Sequence, residues 1–113
     1  MKNLAPTIHR QRLVIEGTCK QKISASKIEE YLEQLSEVLD MSILMKPITH
    51  QSPKFGWAGW VHWETSGSHF YAWDEPFPFF SADIYTCKAF DNRKAVEFTK
   101  DFFNAQEIVF KAF

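Results

Sequence analysis

Apolar positions recur along the chain with two different periods, and the places where the period changes divide it into eight elements. From Ile8 to Glu16, β-branched and polar residues intermix, which predicts a strand ended by Gly17 and the polar stretch Thr18–Lys22. After Ser26 the spacing lengthens. Ile28, Tyr31, Leu32, Leu35, Val38 and Leu39 fall on one helical face, and Ser26 with Glu29 forms a capping-box pattern ahead of them. Residues 41–45 are expected as a short buried strand, and residues 47–55, with two prolines and several polar side chains, as a loop. Two aromatic-rich strands are predicted at 57–65 and 67–73, meeting at Thr65, Ser66 and Gly67, where a glycine permits a sharp change of direction. A proline-rich bend at 75–78 leads to a strand over 80–87, in which Ala82, Ile84 and Thr86 share one side. Asp91 is the expected cap of a second helix with Ala95, Phe98, Thr99, Phe102 and Phe103 facing inward, and a final strand covers 107–113.

This order of elements predicts an α+β fold: a two-layer sandwich with a mainly antiparallel sheet and two helices on one face. A length of 113 residues fits one domain, residues 1–113, with a thin core. Aromatic residues at 16% are more than a small monomer readily hides, so a homo-oligomer, specifically a dimer, is expected. The net charge of −1, with basic and acidic residues interspersed, offers no basic stripe for phosphates and argues against nucleic acid as a partner. No apolar run has the length of a membrane span or the form of a secretory signal, so the chain is expected to work in the cytoplasm without a membrane partner. Cys19 and Cys87 are far apart and read as reduced thiols; the four histidines show no zinc-ligand spacing, and no metal is expected.

Periodicity and composition alone do not specify a reaction. The residues between Glu64 and Cys87 say more, because of their order and spacing: a strand end at Thr65-Ser66, then Trp73, then Glu75, and later Thr86-Cys87. This ordered set resembles the small pyruvoyl-dependent S-adenosylmethionine decarboxylases of bacteria, archaea and phages, and the likeness extends over residues 8–113. The resemblance implies that the Thr65–Ser66 bond is the cleavage site and that Ser66 becomes a pyruvoyl group, the electron sink for decarboxylation. It also implies that Cys87 returns a proton to the substrate carbon, that Glu75 accepts hydrogen bonds from ribose hydroxyls, and that Trp73 stacks on adenine or faces the sulfonium. The substrate implied is S-adenosylmethionine, or a related amino acid, in polyamine synthesis.

The chain also departs from the family pattern. Gly67 stands where a histidine usually follows the serine, Tyr71 replaces a second histidine, Ala58 replaces a hydroxyl residue linked to processing, and Thr65 occupies a position often held by glutamate. A frame in which Ser68-His69 supplies the Ser-His pair requires a two-residue insertion and a compensating deletion before Trp73. Three readings therefore stand side by side: a self-processing decarboxylase, a non-cleaving member that binds S-adenosylmethionine or a partner decarboxylase, and a chemistry on S-adenosylmethionine that needs no pyruvoyl group. Without the resemblance, Cys87 reads as a small buried residue, Ser66-Gly67 as a plain hairpin turn, and Glu75 as a solvated carboxylate.

Overall fold

Both predicted helices form, and each begins where a side chain accepts the free backbone N–H groups of the first turn. The computed structural model describes residues 1–113. Helix α1 spans Ala25–Val38; its cap is Ser24, whose Oγ accepts from the Lys27 amide at 3.2 Å. The expected cap, Ser26, already lies inside the first turn, because Ser24 is the residue that keeps an extended backbone. Helix α2 spans Asn92–Phe103, and Asp91 caps it as expected, accepting from the amides of Arg93 and Lys94 at 3.0 and 3.4 Å.

Six strands complete the chain: β1 Gln11–Thr18, β2 Ile43–Ser52, β3 Gly56–Trp63, β4 Ser66–Trp73, β5 Phe79–Thr86 and β6 Glu107–Ala112. They form one sheet in the order β2-β3-β4-β5-β1-β6, with every neighbouring pair antiparallel. The fold is thus the α+β sandwich expected from the sequence. Strand β2 differs from its expectation. It runs on through residues assigned to a loop, and Ile43, Leu44 and Met45 are exposed rather than buried. As an edge strand it tolerates Pro47, and its pairing with β3 shifts register between Met45 and Ile48. Gly17 does not end β1; it lies inside the strand, where a Cβ would come within 2.6 Å of the Phe80 ring.

One face of the sheet carries the core. Leu13, Ile15, Val61, Trp63, Phe70, Phe80, Ala82 and Ile84 project towards α1 and α2 and are almost fully buried. At the centre, the Tyr31 ring lies 4.9 Å from Phe103 and 5.2 Å from Phe70, tilted in both cases, an arrangement that aromatic quadrupoles favour. Two buried polar chains tie the layers together. The Trp63 indole N–H donates to Ser36 Oγ at 2.7 Å, and Ser36 Oγ donates to the Leu32 carbonyl, fixing the end of β3 to α1. The Thr99 hydroxyl gives its proton to the Ala95 carbonyl at 2.7 Å, so Tyr31 must be the donor in the 2.7 Å contact between their oxygens.

The opposite face has no helix over it. It presents Trp60, His62, His69, Tyr71, Trp73, Phe79 and Tyr85, together with an ion pair between Arg12 and Asp83 at 2.7 Å. No helix is long and apolar enough to cross a membrane.

Candidate functional site

The hairpin from β3 to β4 turns on two residues, Glu64 and Thr65, between the paired Trp63 and Ser66. Neither turn residue takes a positive φ. That conformation falls on Ser66, with φ of 118°, at a place where glycine usually follows a tight turn. A side chain held there costs about 1–3 kcal/mol and persists only when its surroundings enforce it. Here they do. Ser66 is paired with Trp63 on one side and with Thr86 on the other, both almost fully buried.

The register of β4 on β5 sets Thr65-Ser66 directly against Thr86-Cys87. Beyond the Ser66–Thr86 pair, the Cys87 amide donates to the Thr65 carbonyl at 2.9 Å. The buried Thr86 hydroxyl lies 3.0 Å from Thr65 Oγ1 and accepts from the Lys88 amide at 3.1 Å. Met41 Sδ closes this group from beneath, 3.4 Å from Thr65 Oγ1. Lys88 Nζ, which donates to the Asp40 carbonyl, ties the segment after β5 to the end of α1. Thus Thr65, Ser66, Thr86 and Cys87, all singled out from sequence, meet at one end of the sheet. Cys87 is exposed there; β5 ends at Thr86, and the following residue is no longer covered by the helices, so the bare-sequence reading of a buried cysteine does not hold.

Trp73 and Glu75 stand at the other end of β4. With Pro76, Phe77 and Phe79 they line an open cavity of about 340 Å³, apolar except for the Glu75 carboxylate. Trp73 and Phe79 are direct cross-strand partners with ring centroids 5.3 Å apart. Seven residue steps along a strand separate Ser66 from Trp73, about 23 Å. Within the single chain, the serine and the Glu75 cavity therefore stand apart.

Between these ends the uncovered face bears a continuous row of rings. His62 packs edge-on against Trp60 at 4.9 Å, Trp60 lies 6.2 Å from His69, His69 stacks on Tyr71 at 6.1 Å, and Tyr71 lies 6.4 Å from Trp73. At the serine end of this row is a second cavity, of about 440 Å³, whose lining includes Ser66, Gly67, His62, His69 and the Arg12–Asp83 pair. The Asp83 hydrogen bond and charge push the Arg12 guanidinium still higher than usual. This cavity could not be located from sequence, since histidines without ligand spacing have no assigned place until the register of β3 on β4 is known. Gly67 is packed tightly: a Cβ there would run into the Val61 carbonyl oxygen.

A sequence model of the S-adenosylmethionine decarboxylase family matches residues 14–113. Among solved structures, the fold is similar to that of the adenosylmethionine decarboxylase from Aquifex aeolicus VF5. The TM-score is 0.77 at 17% sequence identity, over 94% of this chain and 89% of that one. A comparison with curated protein sequences finds no match.

Proposed function

The chain belongs to the S-adenosylmethionine decarboxylase family, and from that premise we propose that it is a pyruvoyl-dependent decarboxylase that matures by cutting its own Thr65–Ser66 bond. The observation that carries this reading is the Cys87 amide seated on the Thr65 carbonyl, beside a serine held at positive φ. Cleavage of this kind begins when Ser66 Oγ adds to the Thr65 carbonyl carbon, and negative charge then gathers on the carbonyl oxygen. A backbone N–H already pointed at that oxygen stabilises the charge without reorganisation. Release of the positive φ favours the same step, because strain is lost once the peptide bond to Ser66 opens.

Ser66 and its surroundings fit the group they would hold: a serine at the strand end, paired across the sheet with Thr86, the residue before the exposed Cys87. Once formed, a pyruvoyl group supplies an electron sink for loss of carbon dioxide. The exposed Cys87 thiol is assigned the return of a proton to the substrate carbon. Glu75 is assigned the ribose hydroxyls, since both its oxygens accept, and Trp73 with Phe79 offers apolar faces to adenine and to the sulfonium cation. The product would feed polyamine synthesis in the cytoplasm.

The same geometry supports a homodimer. The uncovered aromatic face is the kind of surface that a small protein buries against a partner, and the 23 Å or so between Ser66 and Trp73 leaves each site incomplete in one protomer. A two-fold pairing of these faces, with the β4 strands running in opposite directions, sets the serine end of one protomer against the Glu75 cavity of its partner.

A non-cleaving family member that binds S-adenosylmethionine is the second reading. The close packing of Gly67 on the Val61 carbonyl favours it, because the space a histidine would need after the serine is filled by backbone. Release of labelled carbon dioxide from carboxyl-labelled S-adenosylmethionine separates the two. The decarboxylase reading requires release by wild type and none by Ser66→Ala. Binding by calorimetry that depends on Glu75, with no release by wild type, supports the second reading instead.

A further inference from the structure

We infer that Thr86, acting through the hydroxyl of Thr65, is a positioning residue for cleavage of the Thr65–Ser66 bond; this deepens the cleavage reading above and rests on it. Thr86 is completely buried, and its Oγ1 accepts from the Lys88 amide at 3.1 Å and lies 3.0 Å from Thr65 Oγ1. Thr65 Oγ1 in turn lies 3.4 Å from Met41 Sδ. The two ends fix the direction of the whole chain. An amide N–H can only donate and a thioether sulfur can only accept, so Thr86 donates to Thr65 and Thr65 donates to the sulfur.

This chain holds the Thr65 side chain, and the backbone holds its carbonyl. The Cys87 amide donates to the Thr65 carbonyl at 2.9 Å, so two consecutive residues, Thr86 and Cys87, grip the residue whose carbon is attacked. Their segment is itself anchored: Thr86 pairs with Ser66 across the sheet, and the Lys88 ammonium donates to the Asp40 carbonyl just after α1. With the amide alone, the Thr65 carbonyl could swing about a single hydrogen bond; the hydroxyl grip removes that freedom. The arrangement depends on a hydroxyl at position 65, where the family pattern often has glutamate.

Ser66 Oγ must meet the Thr65 carbonyl carbon along a set direction, and a displacement of about 1 Å can cost roughly 100-fold in rate. The step balances within the chain. The Oγ–C bond forms, the bond from that carbon to the Ser66 nitrogen breaks, and the hydroxyl proton ends on the nitrogen. The product is Thr65 esterified to Ser66 with a free amine.

The test follows processing of freshly synthesised full-length protein by denaturing intact mass, with circular dichroism confirming that each variant is folded. Thr86→Val keeps the side-chain shape without the hydroxyl and is expected to slow cleavage about 10-fold or more. Thr86→Ser, which retains the hydroxyl, should restore most of the rate. Thr65→Val should slow cleavage by a similar factor, and being at a half-buried turn position it carries the test if Thr86→Val fails to fold. The double variant should be about as slow as either single one, because both remove the same hydrogen bond. Tyr31→Phe, which loses a buried hydrogen bond between the helices, should process at the wild-type rate. With wild type processing, cleavage of Thr86→Val and Thr65→Val at the wild-type rate overturns the assignment. So does a Thr86→Ser variant as slow as Thr86→Val, or a double variant whose loss is the product of the two single losses. A wild-type chain that stays intact, as Ser66→Ala must, overturns the cleavage reading and this inference with it.

Discussion

At the scale of single residues, Ser66 carries a conflict between stability and chemistry. Its φ of 118° suits glycine, yet only a side-chain oxygen can attack the preceding carbonyl. Ser66→Gly is therefore expected to raise the stability of the uncleaved chain by about 1 kcal/mol while abolishing cleavage. Urea denaturation of Ser66→Gly against Ser66→Ala, both uncleaved, isolates the backbone effect; equal stabilities would show that the positive φ stores nothing. The neighbouring Gly67 has the opposite constraint. Gly67→His is expected to destabilise by about 1–3 kcal/mol, because the new Cβ meets the Val61 carbonyl and the strand pair must spread. A thermal melt of Gly67→His unchanged from wild type would contradict that packing. Ser66, Cys87, Trp73 and Glu75 could be put forward from the sequence because their order and spacing are linear properties. The Cys87 amide on the Thr65 carbonyl was not, since it depends on which residue of β5 faces which residue of β4.

At the scale of elements, most of each helix's inward face was legible: Ile28, Tyr31, Leu32 and Leu35 in α1, and Ala95, Thr99 and Phe103 in α2, are buried as expected, Ser36 and Val96 are buried besides them, and Phe98 and Phe102 are half-buried. Strand β2 was misread because prolines usually mark loops, and an edge strand is the exception that sequence does not announce. The Tyr31–Thr99 contact links the helices, and Tyr31→Phe is expected to cost about 1 kcal/mol for the lost hydrogen bond. It also sets a pH dependence. Burial pushes the Tyr31 phenol well above its ordinary value of 10.0. The neutral phenol is thus favoured in the folded chain, so its contribution is complete below pH 10 and is lost as pH rises beyond it, where the unfolded chain ionises first. Urea midpoints at pH 9 and pH 11 should fall more for wild type than for Tyr31→Phe, and an equal fall in both would remove Tyr31 as the cause.

At the scale of the whole molecule, only 27 of 113 residues are buried, and one face of the sheet is uncovered and carries a row of aromatic rings. The excess of aromatic residues was visible in composition; that they line up on one face, between Ser66 and the Glu75 cavity, follows only from the fold. If partner protomers complete each other's sites, two inactive chains should rescue one another. Co-expressed Ser66→Ala and Glu75→Ala should recover about a quarter of wild-type decarboxylation, from the one intact site in each mixed dimer. Mixed dimers confirmed by mass but lacking activity would place each site within a single protomer.

The decarboxylase reading turns on the bond between Thr65 and Ser66. Denaturing mass spectrometry of the purified wild-type protein examines it without any assay of activity. Two chains are expected, one ending at Thr65 and the other beginning with a pyruvoyl group in place of Ser66. A single intact mass of 13.2 kDa would contradict self-cleavage.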